Sequence, residues 1–300
     1  ILAYLEASLS GCGAAAAQAL CYLAESGSAR LHAHLPHLLA MYQAQPGELR
    51  LFEALILVMA TLPWEQQEQA MAAVILPLLA GPMKAADLDR YRLFVVSSEP
   101  DGEEAAAPLG TPRPAPLSPA HPALRLFREQ AWPRLQGLPV ANENRDALGS
   151  LLGAICDHYA VHLPVELLGG VMSKVAQVGC WWTLRSLLQR AEDCPAWWSA
   201  GLRDCLLAAA GQSAEDFLPL FMTAVDYAAP TLGDEQLMST GLTVSAQALT
   251  ARPLNPAAVD SALMALLHTL HQLLHTSGDP VWSHELLPAC LTAVMQSLLD

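Results

Sequence analysis

The chain has 300 residues, 53% of them hydrophobic and only 15% charged, and its 29 acidic residues against 15 lysines and arginines give a formal charge of −14. That much apolar material excludes a chain disordered throughout. The acidity, with Lys84 and Lys174 as the only lysines, argues against direct nucleic-acid binding and against electrostatic docking on an anionic membrane, both of which rest on clustered Lys and Arg. The best apolar run, Gln69 to Met83, is interrupted by Pro77 and Pro82; it falls short of the roughly 20 residues that span a bilayer, so no membrane insertion is expected.

Leu2, Leu5 and Leu9 are already in helical phase, with no signal peptide before them, and the chain is expected to be a piece of a longer protein. From there the pattern is one-sided. Isoleucine occurs only at Ile1, Ile56, Ile75 and Ile155, whereas leucine and alanine, strong helix formers, are everywhere. Apolar positions recur at helical spacing, as in Leu148, Leu151, Leu152, Ile155 and Tyr159, or Leu263, Leu266, Leu267, Leu270 and Leu274. Gly, Pro and Ser punctuation predicts helices near 1–9, 13–26, 30–44, 47–62, 64–82, 85–96, 122–138, 143–160, 163–178, 180–192, 196–210, 213–228, 233–250, 256–276 and 282–299. Leu93 to Val96 is the one short strand-like run. The fold class is therefore all-α.

Between the sixth and seventh helices, residues 97–122 are dense in Pro, Gly and acid and lack apolar periodicity. Such a segment buries too little surface to offset its ordering entropy. It is expected to be a flexible, dispensable insert, with helices of one kind continuing through 1–96 and 123–300. The seven cysteines, odd in number and without a CxxC, read as buried reduced thiols of a cytosolic or nuclear protein.

A Leu-Pro followed by an apolar cluster recurs at Leu35-Pro36, Leu76-Pro77, Leu163-Pro164, Leu218-Pro219 and Leu287-Pro288, inside or near the start of a helix. The first two prolines are 41 positions apart, which suits a two-helix repeat of about 40 to 47 residues; the later spacings need insertions or missed units. Helix pairs of this kind bury their apolar faces only by stacking, which predicts an α-solenoid of HEAT-like antiparallel pairs. The alternative is a large irregular helical bundle.

The stretch from Ala16 through Leu39 resembles a HEAT repeat of the karyopherin-β (importin-β) superfamily, in the branch of importin-13 and transportin-3. Similar helices of that branch match Leu51 to Pro63, His121-Pro122 with Trp132 to Leu135, Glu143 to His158, and Leu163 to Val178. The resemblance is loose but runs along nearly the whole chain. It implies a nuclear transport receptor that shuttles between cytoplasm and nucleus, with protein cargo, Ran-GTP and nucleoporins as partners. Basic cargo is expected from the acidic charge. The main Ran-GTP contacts of the family lie in N-terminal repeats that would precede Ile1, so this chain alone is expected to bind Ran-GTP weakly. The arginine-rich helix with which transportin-3 takes phosphorylated cargo has no counterpart beyond the sparse Arg125, Arg128 and Arg134. A HEAT-repeat scaffold of another assembly (trafficking, phosphatase or tubulin-folding) is the alternative reading.

No cofactor, metal or catalytic residue is expected. Gly11-Cys12-Gly13-Ala14-Ala15-Ala16 fits a dinucleotide fingerprint in letters, but a helix precedes it where a strand is required, and it reads as a loop opening a helix. His158 and His162 with Cys156, and His268, His271 and His275, lack the converging ligands that zinc requires. No GxSxG elbow, phosphate-binding Gly-Lys-Ser/Thr or kinase signature occurs, and Glu103-Glu104 and Glu192-Asp193 read as solvated. The candidate cargo-contact residues are Trp181, Trp182, Trp197 and Trp198. Adjacent helical positions point about 100° apart, so one ring of each pair can enter the core while the other faces an inter-helix groove; packing of all four in the core is the alternative.

Overall fold

The computed structural model describes residues 2–98, 121–192, 194–251 and 255–275, and the positions 288, 291, 292 and 295; for 2–12 and 273–275 it describes the backbone. Every regular element among the described residues is helical. The chain divides into two compact units, residues 1–162 and 163–300.

The first unit contains α1 (Leu2–Gly27), α2 (Leu35–Ala44), α3 (Leu49–Ala60), α4 (Trp64–Ala80), α5 (Ala85–Ser97), α6 (Pro122–Leu126), α7 (Trp132–Gly137) and α8 (Arg145–Tyr159). α1 packs on α3, α3 on α5 and α5 on α8, forming a row, while α2 and α4 connect its members. The row's core is aromatic and aliphatic: Phe52, Tyr91, Phe94, Phe127 and Tyr159 are completely or almost completely buried, with Phe127 and Tyr159 edge to face at 5.7 Å. Leu93 to Val96 lies within helix α5, not in a strand. The inward positions Leu88, Tyr91, Phe94 and Val95 keep the three-and-four spacing of a helix face.

The expected break at Gly11–Gly13 is absent, and α1 runs through it. Two interior glycines cost roughly 1 kcal/mol each relative to alanine. The cost is offset because Ala16, Ala17 and Leu20 of the same helix are buried in the α1–α3 packing. The helix expected from residue 30 instead begins as a 3₁₀ turn, Ser28–His34, and becomes α-helical at Leu35. Pro36, with no N–H to offer the carbonyl four residues earlier, sits in the first turn, where none is needed, whereas Pro77 and Pro219 of the same Leu-Pro pattern lie inside α4 and the helix over 214–227.

Of the expected insert, residues 99–120 lie outside the described residues; its edges are ordered. Ser97 ends α5, and Ser98 is buried with its hydroxyl 2.5 Å from the Tyr159 hydroxyl. His121 is buried and caps α6. The expected helix over 122–138 is a single run in which five residues, Phe127–Ala131, form a π turn between α6 and α7. Pro133 follows that turn, and a widened turn accommodates the missing N–H and the ring of an intrahelical proline.

The second unit contains α9 (Val165–Val178), α10 (Trp181–Gln189), α11 (Arg203–Ala210), α12 (Ala214–Tyr227), α13 (Glu235–Thr250) and α14 (Pro256–His275). α10 packs on α12 and α12 on α14; α9 packs on α11 and α11 on α13. The second helix of this unit ends at Gln189, shorter than the expected 180–192, and the helix expected from 196 begins as a π turn, Trp198–Leu202, before α11. The helix expected over 282–299 lies mostly outside the described residues.

Candidate functional site

The four tryptophans sit in the second unit, each pair close in the chain to a glycine with positive φ. α9 ends at Gly179, whose φ of 79° is left-handed and open to glycine at little cost. The Gly179 N–H donates to the carbonyls of Val175 and Ala176, and the Cys180 N–H reaches back to Val175 at 3.1 Å. This closes α9 so tightly that α10 starts two residues later, with Trp181 and Trp182 in its first turn. Trp182 is 56% exposed, and Trp181 is half-buried with its indole nitrogen beside Gly179.

The other pair precedes the second of these glycines. Trp197 is 5% exposed, and the Arg190 guanidinium lies 5.3 Å from its ring centroid, a cation–π arrangement worth about 0.5–1 kcal/mol. Trp198 is half-buried and begins the π turn, which Gly201 breaks with a φ of 133°. That turn lies directly on α9: a Cβ on Gly169 would fall far inside contact distance of the Ala200 carbonyl oxygen. Both tryptophan pairs thus rest on elements packed against α9, one through α10 and one through the π turn. No ring contact among the described residues joins one pair to the other. Trp197 is core; Trp182 offers the largest free aromatic face of the four, and Trp181 and Trp198 are intermediate.

The reactive side chains nearby are quiet. Burial pushes the Cys205 thiol up to about 12, with Asp204 adding to the rise. In the first unit, burial together with the charges of Glu53 and Glu25 pushes the Cys21 thiol to about 12 as well. Neither is a thiolate near neutral pH, the form that attacks electrophiles and binds metals. Among the described residues no three His, Cys, Asp or Glu side chains converge as metal ligands. The glycines of the fingerprint-like segment lie inside α1, with no loop or helix start there to receive a pyrophosphate.

His268 joins two helices. Its Nδ1 is 2.7 Å from an Asp226 carboxylate oxygen, tying α14 to α12. The partners are 42 residues apart, so no local spacing signalled the pair. Arg203, Asp234 and Gln236 form a second group invisible to motif reading: the Arg203 guanidinium bonds both the Asp234 carboxylate and the Gln236 side-chain oxygen. A scan against protein-family models finds no match to this chain, and a search of curated proteins finds none either.

Proposed function

We propose that this chain is a protein-binding helical-repeat module of a nuclear transport receptor of the importin type. In this reading its helix pairs stack as a HEAT-like α-solenoid and take basic protein cargo on the inner face. Ran-GTP controls release, nucleoporins provide passage, and the protein shuttles between cytoplasm and nucleus. The observation that carries the reading is the packing of every second helix in each unit: α1 on α3 on α5 in one, α10 on α12 on α14 in the other. Repeated helix pairs bury their faces in this manner, and the resulting surface is offered to large partners rather than to small substrates. The acidic charge and the exposed Trp182 fit that use: the first attracts basic segments, the second supplies an amphipathic anchor of the kind enriched in binding hot spots.

The test is capture of a basic nuclear protein by the full-length protein, with and without Ran held in its GTP state. Cargo retained without Ran-GTP and released by it is the expected result. Cargo binding indifferent to Ran-GTP would exclude the transport reading and leave a repeat scaffold of another assembly.

A further inference from the structure

Three helices and the two edges of the 99–120 connection meet at a small cavity in the first unit. Its lining includes Ile56, Met59, Gln67, Phe94, Ser98 and His121. Most of this wall is apolar, yet three polar side chains reach it, each at most 7% exposed. Ser98 is held by Tyr159 and by the Val95 carbonyl. Gln67 donates its amide to the Ala60 carbonyl at 2.8 Å, while its Oε1 is buried without a hydrogen-bond partner.

His121 is the titratable member. Its Nδ1 accepts from the Ala123 N–H at 3.3 Å, which caps α6 and places the neutral ring's proton on Nε2. Its ring stands edge-on to Trp64 of α4 at 5.8 Å. The titratable group acting on it is His162, from the 3₁₀ turn after α8, while the Glu68–Arg125 ion pair joins α4 to α6. Burial, followed by the nearby His162, holds the His121 imidazole below its ordinary value. Protonation would turn the capping acceptor into a donor facing the Ala123 N–H, and would place a cation in an apolar wall.

We propose that His121 is an acid-sensitive latch: protonated, it cannot cap α6, and the first turn of the 122–137 helix detaches from α4 while the rest of the unit stays folded. The sign follows from proton counting. A base held below its ordinary value in the closed state binds its proton more readily when open. Opening is therefore unaffected above the ordinary histidine value near 6.5, is favoured as pH falls below it, and levels off once the closed state is protonated too.

Hydrogen exchange of the whole chain, corrected for intrinsic rates and followed from pH 7.5 to 5, tests the latch. Amides of Ala123 and of Arg125 to Phe127 should lose protection by up to tenfold per pH unit below about 6.5, while those of α3 in the same unit hold theirs. His121→Asn, which keeps a capping oxygen but cannot titrate, should flatten the profile. His162→Gln should leave the onset near 6.5, level off at a higher pH and reduce the total loss of protection. A flat wild-type profile, a slope surviving in His121→Asn, or equal loss in α3 would each overturn the proposal.

Discussion

A methyl group added to Gly169 has nowhere to go, because the obstacle is the backbone carbonyl of Ala200 and not a side chain that can rotate away. Gly169→Ala should destabilise the second unit by about 2–3 kcal/mol, at the upper end for overpacked sites. Gly241→Ala meets instead the ring of fully buried Phe221. It should cost about 1–3 kcal/mol, and Phe221→Leu in the same chain should recover part of the loss. Urea melts of the three variants provide the check. The thiols give a second residue-scale expectation. Cys21 and Cys205, buried and held near 12, should resist alkylation at pH 8 while the half-exposed Cys180 and Cys194 react. Peptide mass spectrometry of a timed labelling series reads this directly, and prompt labelling of Cys205 would contradict the packing around it.

At the scale of elements, Arg203 ties α11 to α13 through Asp234 and Gln236. Asp234 accepts from the Leu237 N–H at 2.9 Å, capping α13, and pairs with Arg203 of α11. Partial burial pushes its carboxyl up, but the hydrogen bonds from Arg203 and the Leu237 N–H outweigh this and hold it below the usual carboxylate range. An acid so shifted contributes stability at pH values above its unfolded value of about 3.9, lost as pH falls through the lower folded value. Asp234→Ala should cost about 1–2 kcal/mol at pH 7. Asp234→Asn, which still caps, should cost less and remove that part of the acid dependence; melts at pH 7 and pH 3 separate the two. The cap itself was readable, since Asp before Glu235-Gln236-Leu237 is an ordinary helix start. Arg203 was not, because its pairing spans 31 positions and arises only when α11 lies on α13. The same division holds elsewhere. Periodicity located α3, α5, α8, α12 and α14 closely, since their buried faces repeat at helical spacing. It erred at Gly11–Gly13, where packing on α3 overrides a local breaker, and over 122–138 it located the helical run but not the π turn at Phe127–Ala131 that precedes Pro133. Of the tryptophans, the sequence could place two rings about 100° apart but not say which ring is outward, since that is set by how α10 and the π turn pack on α9.

Across the molecule, charge sets the expected behaviour toward partners. With 29 acidic residues and two lysines, association with a basic protein should be fast at low ionic strength and weaken steeply as salt shortens the Debye length to about 8 Å at physiological strength. Titration of a basic nuclear protein from 50 to 500 mM salt should show at least a tenfold loss of affinity, mostly through the association rate; a flat profile would remove charge from the recognition scheme. The arrangement of rows has a consequence for how the chain acquires its structure. In the second unit each substantial helix contact joins neighbours or next neighbours along the chain. Such low contact order favours rapid assembly, pair by pair, as residues leave the ribosome. The first unit cannot finish that way. α5 must wait for α8, and the hydroxyls of Ser98 and Tyr159 that meet at their junction are 61 residues apart. Until Tyr159 has been synthesised, the inward face of α5 has no cover along that side, and the nascent chain carries Tyr91, Phe94 and Val95 as a sticky interval open to chaperones.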